Sequence, residues 1–125
     1  MEPQFERALA VARHGVLSTT GVGGSVHSVL VNPYRFRSAA GIFSQAASVK
    51  VMNLSRLPRA TLCLLSGSRY LTVEGAVELC RDPAAIEEAA VAFGAKYGRP
   101  PRPPAGARLL ILLHPTRSYG ALGET

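Results

Sequence analysis

A short polar segment in the first half of the chain combines the residue types that bind phosphate. Its hydroxyl, amide and ammonium groups belong to Ser44, Gln45, Ser48 and Lys50. The residues before it, 41–43, are strand-like, and residues 49–54 have apolar spacings closer to those of a helix. Free N–H groups and the positive end of the helix dipole attract anions, so the segment favours a phosphate site. A plain helix N-cap at Ser48 is the alternative interpretation.

The charge balance also favours an anionic partner. The net charge is +6, and Lys50 and Lys96 are the only lysines, so arginine carries most of the positive charge. A basic balance can serve nucleic acid, a membrane surface or a polyanionic small molecule. The basic residues are not interleaved with exposed aromatics, and no reading helix is recognisable, so we expect no nucleic-acid partner. A solvated set of arginines is the remaining alternative.

Length and composition predict one domain spanning residues 1–125. The chain has 125 residues and is 47% hydrophobic, which suits a single core. An amphipathic helix is predicted within residues 1–13, where it would cover one end of the core. Residues 98–107, GRPPRPPAGA, predict a stiff, exposed connector. There is no run of about 18 apolar residues and no secretion signal, so we expect a cytoplasmic protein without a membrane span.

The remaining patterns predict a mainly β fold with helical caps. Strands are predicted at Val16–Thr20, Ser25–Phe36, Ile42–Phe43, Arg59–Ser66, Arg69–Cys80 and Leu109–Leu113. Six short antiparallel strands favour a small barrel. Pro33 predicts an edge, bulge or bend in the second strand. Asp82, followed by Pro83, predicts the cap of another helix, which we interpret as structural and which carries Lys96.

Three local patterns are interpreted as structural. The glycine-rich residues 21–25 precede a strand instead of opening a helix, which predicts a hairpin loop and not a dinucleotide site. Cys63 and Cys80 lie in apolar runs without a CxxC motif, so we expect small buried thiols without a disulfide or metal. Gly75 predicts a bulge or a close backbone approach, and Glu74 is expected to balance an arginine.

Several motifs together resemble one known family. The residues Ser44–Arg59 follow the pattern S-x-x-x-S-x-K-x-x-N-L-x-R-x-P-R, which resembles the phosphate-binding segment of the pyridoxamine-phosphate oxidase-like, split-barrel flavin proteins. The sequence RYLTVEG at Arg69–Gly75 is similar to a strand of the same family, and His114–Gly120 resembles its closing strand. An earlier motif of the family is matched by Leu17, Thr19, Gly24, His27 and Val31. The resemblance covers Leu17–Tyr119.

This resemblance implies a split β-barrel that forms a homodimer with two cofactor sites at the interface. It implies that the cofactor phosphate is held by Ser44, Gln45, Ser48 and Lys50. It implies that the cofactor ring lies against one strand, whose residues include His27, Ser28, Val29, Leu30 and Asn32. Secondary candidates for the phosphate or an anionic tail are Arg56, Arg59 and Tyr70, and Tyr119 is implied beside the ring. No side chain is assigned a separate catalytic role, and His27 also fits a half-buried strand histidine without one.

The resemblance also implies hydride transfer between the cofactor and a small organic acceptor. The short chain, its arginine-rich balance and the lack of an extended C-terminal arginine-containing segment favour the deazaflavin coenzyme F420. FMN is the alternative cofactor, and a protein that binds a flavin or tetrapyrrole without turnover is a third hypothesis. The sequence names no acceptor. Replacing Lys96 is expected to have little effect on ligand binding.

Overall fold

The computed structural model describes residues 2–104 and 106–122, which form three α-helices, one 3₁₀ turn and seven strands. The helices are α1 Pro3–Val11, α2 Val49–Arg56 and α3 Pro83–Tyr97, and the 3₁₀ turn is Val22–Gly24. The strands are β1 His14–Thr20, β2 Val26–Val31, β3 Tyr34–Phe36, β4 Ala39–Gln45, β5 Arg59–Ser66, β6 Arg69–Cys80 and β7 Arg108–Gly120. They form one sheet of order β2-β1-β5-β6-β7-β4-β3, and every adjacent pair is antiparallel. No helix among the described residues has the length and apolar character needed to cross a membrane.

The sheet curls into a split barrel at Asn32 and Pro33. Residues 25–36 were predicted as one strand, but the structure divides them into β2 and β3 at this dipeptide. These two strands lie at opposite edges of the sheet, so a two-residue link requires the edges to approach each other. No ladder joins β2 to β3 in the described part of the chain, which leaves the barrel split. The predicted bend at Pro33 is confirmed, and the sheet has seven strands instead of six.

The barrel interior and the face beneath α3 form two separate cores. The run Leu109–Leu113 of β7 is buried on both sides, because Leu109 and Ile111 belong to the interior core whereas Leu110 and Leu112 pack in the outer one. Coverage on both faces explains its continuous apolar sequence. The predicted N-terminal helix is confirmed as a cover of the interior core, which includes Phe5, Ala8 and Leu9 of α1.

The predicted hairpin and helix cap are confirmed. The strands β5 and β6 have the predicted bounds and meet at Gly67, whose φ is 59°. The register of β6 against β7 shifts between Glu74 and Gly75, and Glu74 Oε2 lies 3.1 Å from Arg117 Nε. Asp82 caps α3 by accepting a hydrogen bond of 3.3 Å from the Ala85 N–H. Cys63 and Cys80 are free, half-buried thiols.

Lys96 joins three parts of the fold, a structural role that the sequence did not indicate. Its Nζ donates hydrogen bonds of 2.6, 2.5 and 2.6 Å to the carbonyl oxygens of Leu9, Ala12 and Pro33. Tyr97 Oη donates to the same Pro33 oxygen at 2.5 Å. Burial, with the nearby Arg13 charge, lowers the pKa of Lys96 to about 8, so the ammonium form persists at neutral pH. Lys96 thus connects α3 with the end of α1 and with the β2–β3 link.

Candidate functional site

A cleft of about 680 Å³ lies where the β4–α2 segment, the end of β2 and the proline-rich connector meet. Its apolar lining consists of Leu30, Val31, Ile42, Phe43, Phe93, Pro101, Pro103 and Pro104. Its polar and charged lining consists of Asn32, Ser44, Gln45, Lys50, Arg99, Arg102 and Arg108. Every ionisable side chain in this set is cationic, so the cleft suits an anionic ligand with an apolar body.

The two serines of the predicted phosphate segment are hydrogen-bonded to each other. Ser48 stands at the N-cap position of α2, but its side chain makes no capping hydrogen bond. Instead, Ser44 Oγ and Ser48 Oγ are 2.9 Å apart, and Ser44 Oγ donates to the Gln45 carbonyl at 3.0 Å. Since Ser44 has one proton to donate, Ser48 donates to Ser44. Ser48 therefore occupies the N-cap position without the side-chain hydrogen bond that a capping serine makes, and the pair of hydroxyls joins the end of β4 to the start of α2.

Lys50 contributes a half-buried positive charge to the cleft. It is half-buried in the cleft, and its ammonium makes no hydrogen bond or ion pair with the described residues. Burial lowers the pKa of Lys50, because removing water disfavours the charged form. A bound anion would offset this cost. Two adjacent hydroxyls and an unpaired ammonium therefore fit the phosphate of a cofactor.

The connector, which the sequence predicted to be stiff and exposed, also lines the cleft. Pro101 and Pro104 are half-buried there, and the same wall holds Arg99, Arg102 and Arg108. These arginines were not among the predicted site residues. Their signal was the regular placement of arginine among the prolines of this segment, RPPRPPAGAR.

The predicted ring-facing strand is divided between the cleft and the barrel. Leu30 and Asn32 line the cleft, and Asn32 Nδ2 donates to the Arg13 carbonyl at 3.2 Å. The other three predicted residues of β2 do not line it. Ser28 Oγ lies 2.8 Å from Ser18 Oγ, Val29 packs against the interior core, and His27 Nδ1 is buried without a hydrogen-bond partner among the described residues.

The secondary candidates are not brought to the cleft within one chain. Arg56 Nη2 donates to the Thr20 carbonyl at 2.6 Å, and Arg59 Nη2 lies 3.5 Å from Thr116 Oγ1. Tyr119 Oη donates to Glu74 Oε2 at 2.9 Å, and Tyr70 is half-exposed beside Gly120. Arg59 and Glu74 instead line a smaller depression of about 240 Å³. The structure therefore separates the predicted residues into two groups.

The fold and the cleft define a split-barrel protein of the cofactor-binding class. The family model described as pyridoxamine 5'-phosphate oxidase matches residues 1–120, and the chain belongs to that family. No curated protein sequence matches the chain. Within residues 2–104 and 106–122, no group of three or more His, Cys, Asp or Glu side chains is arranged to hold a metal ion.

Solved structures with different descriptions share the fold. A conserved hypothetical protein from Mycobacterium tuberculosis is similar at a TM-score of 0.83 and 21% identity, covering 99% of this chain and 86% of its own. A protein described as an F420 reductase is similar at 0.75 and 21% identity, covering 94% and 98%. The heme storage protein HutZ from Vibrio cholerae is similar at 0.76 and 12% identity, covering 96% and 94%. At these identities the likeness establishes the fold alone.

Proposed function

We propose that the protein binds the phosphate of a flavin-type cofactor in the cleft and uses that cofactor, F420 in preference to FMN, to transfer hydride to a small organic acceptor. The observation that carries the proposal is a half-buried Lys50, unpaired among the described residues, which lines the same cleft as Ser44. The Ser44 hydroxyl is in turn hydrogen-bonded to that of Ser48 at the start of α2. When bound, the cofactor ring supplies the hydride chemistry. The protein supplies binding, orientation and exclusion of water.

The proposed phosphate site depends on hydroxyl reorientation and on charge. To bind the phosphate, Ser44 would turn its proton away from the Gln45 carbonyl and Ser48 would turn its proton away from Ser44, so that both donate to phosphate oxygens. Lys50 would donate a charge-assisted hydrogen bond, which is stronger than one between neutral groups. The apolar side chains of Leu30 and Phe43 would contact the planar ring and exclude water beside it.

The charge of the cleft supports F420 over FMN. Four cationic side chains line it, Lys50, Arg99, Arg102 and Arg108, and no carboxylate is present among its described lining residues. FMN brings one phosphate, whereas the lactyl-oligoglutamate tail of F420 adds several negative charges. FMN remains the alternative cofactor, tested by the same titration.

A non-catalytic cofactor-binding protein is the second candidate function. None of the described residues that line the cleft is an Asp, Glu, His or Cys, and the proposal assigns the lining residues Ser44 and Lys50 to the phosphate, so none of these side chains is left to act as an acid, base or nucleophile. Hydride transfer by a bound cofactor does not require such a group, but ligand storage does not require one either. Cofactor-dependent consumption of an enone, quinone or biliverdin-like acceptor separates the two functions.

Replacing Lys50 tests the phosphate site. We expect Lys50→Ala to raise the dissociation constant for F420 about tenfold to a hundredfold, because a charge-assisted hydrogen bond of about 1.5 to 3 kcal/mol is lost. Fluorescence titrations with F420 and with FMN measure the effect and identify the preferred cofactor. An unchanged dissociation constant in a folded Lys50→Ala protein would remove Lys50 from the site.

The matched control is Lys50→Arg, which keeps a positive charge at every accessible pH. Since burial lowers the pKa of Lys50, ligand affinity of the unmodified protein should fall as the pH rises through that lowered pKa. The Lys50→Arg protein should bind the cofactor at neutral pH, and its affinity should fall less at alkaline pH because arginine stays charged. Identical declines in the two proteins would assign the pH dependence to another group.

We also propose that the protein acts as a homodimer. Large apolar side chains are exposed on β2 and α2, among them Val26 at 72%, Leu30 at 68% and Met52 at 65% exposure. Such side chains on two elements that both contact β1 favour an interface. A second subunit would also give the group containing Arg59 and Tyr119 a route to the cofactor site.

Light scattering tests the dimer. We expect twice the mass of one chain for the unmodified protein and a shift toward one chain for Val26→Glu, because a charge would be buried at the interface. Val91→Glu on α3 is the matched control, since Val91 is equally exposed at 71% and should leave the mass unchanged. A monomeric unmodified protein at micromolar concentration would contradict the proposal.

A further inference from the structure

One wall of the cleft is formed by the connector and the first residue of β7, and we refer to it as the connector wall. It holds three arginines that the phosphate site does not use. We propose that Arg99, Arg102 and Arg108 form a second anion site, which binds carboxylate groups that a ligand carries apart from the phosphate. The inference rests on the proposed function, because it takes Ser44, Ser48 and Lys50 as the phosphate site. The carboxylates belong either to the tail of the cofactor or to the acceptor.

The second site adjoins the phosphate segment through the sheet. Arg108 is directly opposite Gln45 in the β4–β7 ladder, so their side chains share a face. Opposed residues of antiparallel strands have Cβ atoms about 4.5 to 5.5 Å apart. The Ala46 N–H also donates to the Ala107 carbonyl at 2.8 Å, which ties the connector to the β4–α2 segment. One ligand with two anionic groups can therefore contact both sites.

Aromatic rings and backbone position two of the arginines. The Cζ atom of Arg108 lies 4.9 Å from the centroid of the Phe43 ring, and its Nη2 donates to the Arg102 carbonyl. The Cζ atom of Arg99 lies 5.3 Å from the centroid of the Phe93 ring. Stacking occupies the face of a guanidinium and leaves N–H groups at its edge, and this edge matches a carboxylate.

The connector wall is not neutralised by the protein itself. The ion pairs among the described residues are Arg35–Glu6, Arg37–Glu88, His114–Glu78 and Arg117–Glu74, and all of them lie outside the cleft. Prolines also restrict the backbone on either side of Arg102, so ordering the segment on binding costs less entropy. Uncompensated charge on a stiff segment is the arrangement expected for anion recognition.

The test variant is Arg99→Gln/Arg102→Gln, which removes two charges and leaves the Arg108–Phe43 stacking in place. The matched control is Arg7→Gln/Arg81→Gln, which removes two exposed arginines that do not line the cleft. It corrects for the general effect of net charge. Both proteins should remain folded, as circular dichroism will show.

The ligands are glutamylated F420, the same deazaflavin phosphate without glutamates, FMN, and a free triglutamate peptide followed by NMR. If the cofactor tail supplies the carboxylates, the test variant should bind glutamylated F420 at least about tenfold more weakly than the control does, with the other two cofactors unchanged. If the acceptor supplies them, all cofactor affinities should persist, whereas the KM for a carboxylate acceptor should rise relative to that for its ester.

The peptide separates this inference from the proposed function, because it binds without any flavin. Triglutamate binding that the control retains and the test variant loses supports the second site even if neither F420 nor FMN binds. The inference is overturned if the test variant matches the control for the peptide, the glutamylated cofactor and the carboxylate acceptor. Tight, Lys50-dependent cofactor binding in that case would leave the proposed function intact.

Discussion

Lys96→Met is expected to lower the free energy of unfolding by about 2 to 4 kcal/mol. Methionine keeps the apolar stem of the side chain but leaves the carbonyls of Leu9, Ala12 and Pro33 without the donor that now serves all three. A hydrogen bond to a charged group contributes about 1.5 to 3 kcal/mol. The total expected here is smaller than the contribution of three such bonds, because Lys96 is only half-buried and water weakens charged interactions. Urea denaturation measures the change.

The chain supplies its own matched control in its other lysine. Lys50→Met makes the same chemical change at a half-buried ammonium that has no partner among the described residues, so stability should stay within about 0.5 kcal/mol or rise. Equal losses of stability in the two variants would show that the three hydrogen bonds of Lys96 contribute nothing beyond the effect of removing a charge.

Lys96→Met should also weaken ligand binding, although Lys96 does not line the cleft. The residue before Pro33 is Asn32, which lines the cleft together with Leu30. Loss of the Lys96 bond to the Pro33 carbonyl loosens the β2–β3 link and therefore this wall of the cleft. The cofactor titrations used for Lys50 should show a modest loss of affinity.

The sequence predicted those elements whose partners are close in the chain. The β5–β6 hairpin had the right bounds because its apolar runs flank a two-residue turn at Gly67 and Ser68. Residues 25–36 looked like one strand because β-propensity is equally high on both sides of Pro33. Only the closure of the sheet, which places β2 and β3 at opposite edges, determines that they are two strands.

The same distinction applies to the candidate site. The group Ser44, Ser48 and Lys50 could be proposed from the sequence because its members lie close together in the chain. The structure places Ser44 and Lys50 in the lining of one cleft, and Ser48 is hydrogen-bonded to Ser44. Arg108 was missed because its neighbour, Gln45, is far away in the chain and is brought beside it only by the β4–β7 pairing. The structural role of Lys96 was not predicted for a related reason, since its acceptors lie at the end of α1 and at Pro33, far from it in the chain.

Gly75→Ala is expected to destabilise the fold by about 3 kcal/mol or more, because overpacking against backbone cannot be relieved by a side-chain rotation. A Cβ atom at Gly75 would overlap the His114 carbonyl oxygen and lie 2.8 Å from the carbonyl carbon. The contact lies where the register of β6 against β7 shifts, so relief requires the two strands to separate. Thermal and urea unfolding measure the loss.

Gly94→Ala on α3 is the matched control, because an added Cβ there would come no closer than 3.8 Å to its nearest neighbour, the Arg99 carbonyl oxygen. Alanine in a helix is favoured over glycine by about 0.5 to 1 kcal/mol, so this variant should gain stability. A Gly75→Ala protein as stable as the unmodified one would show that the bulge is not held by close backbone packing. If close packing does hold the bulge, Gly75 also fixes the position of Glu74 opposite β7. The contacts of Glu74 with Arg117 and Tyr119 then depend on Gly75, because Glu74 lies directly beside the bulge.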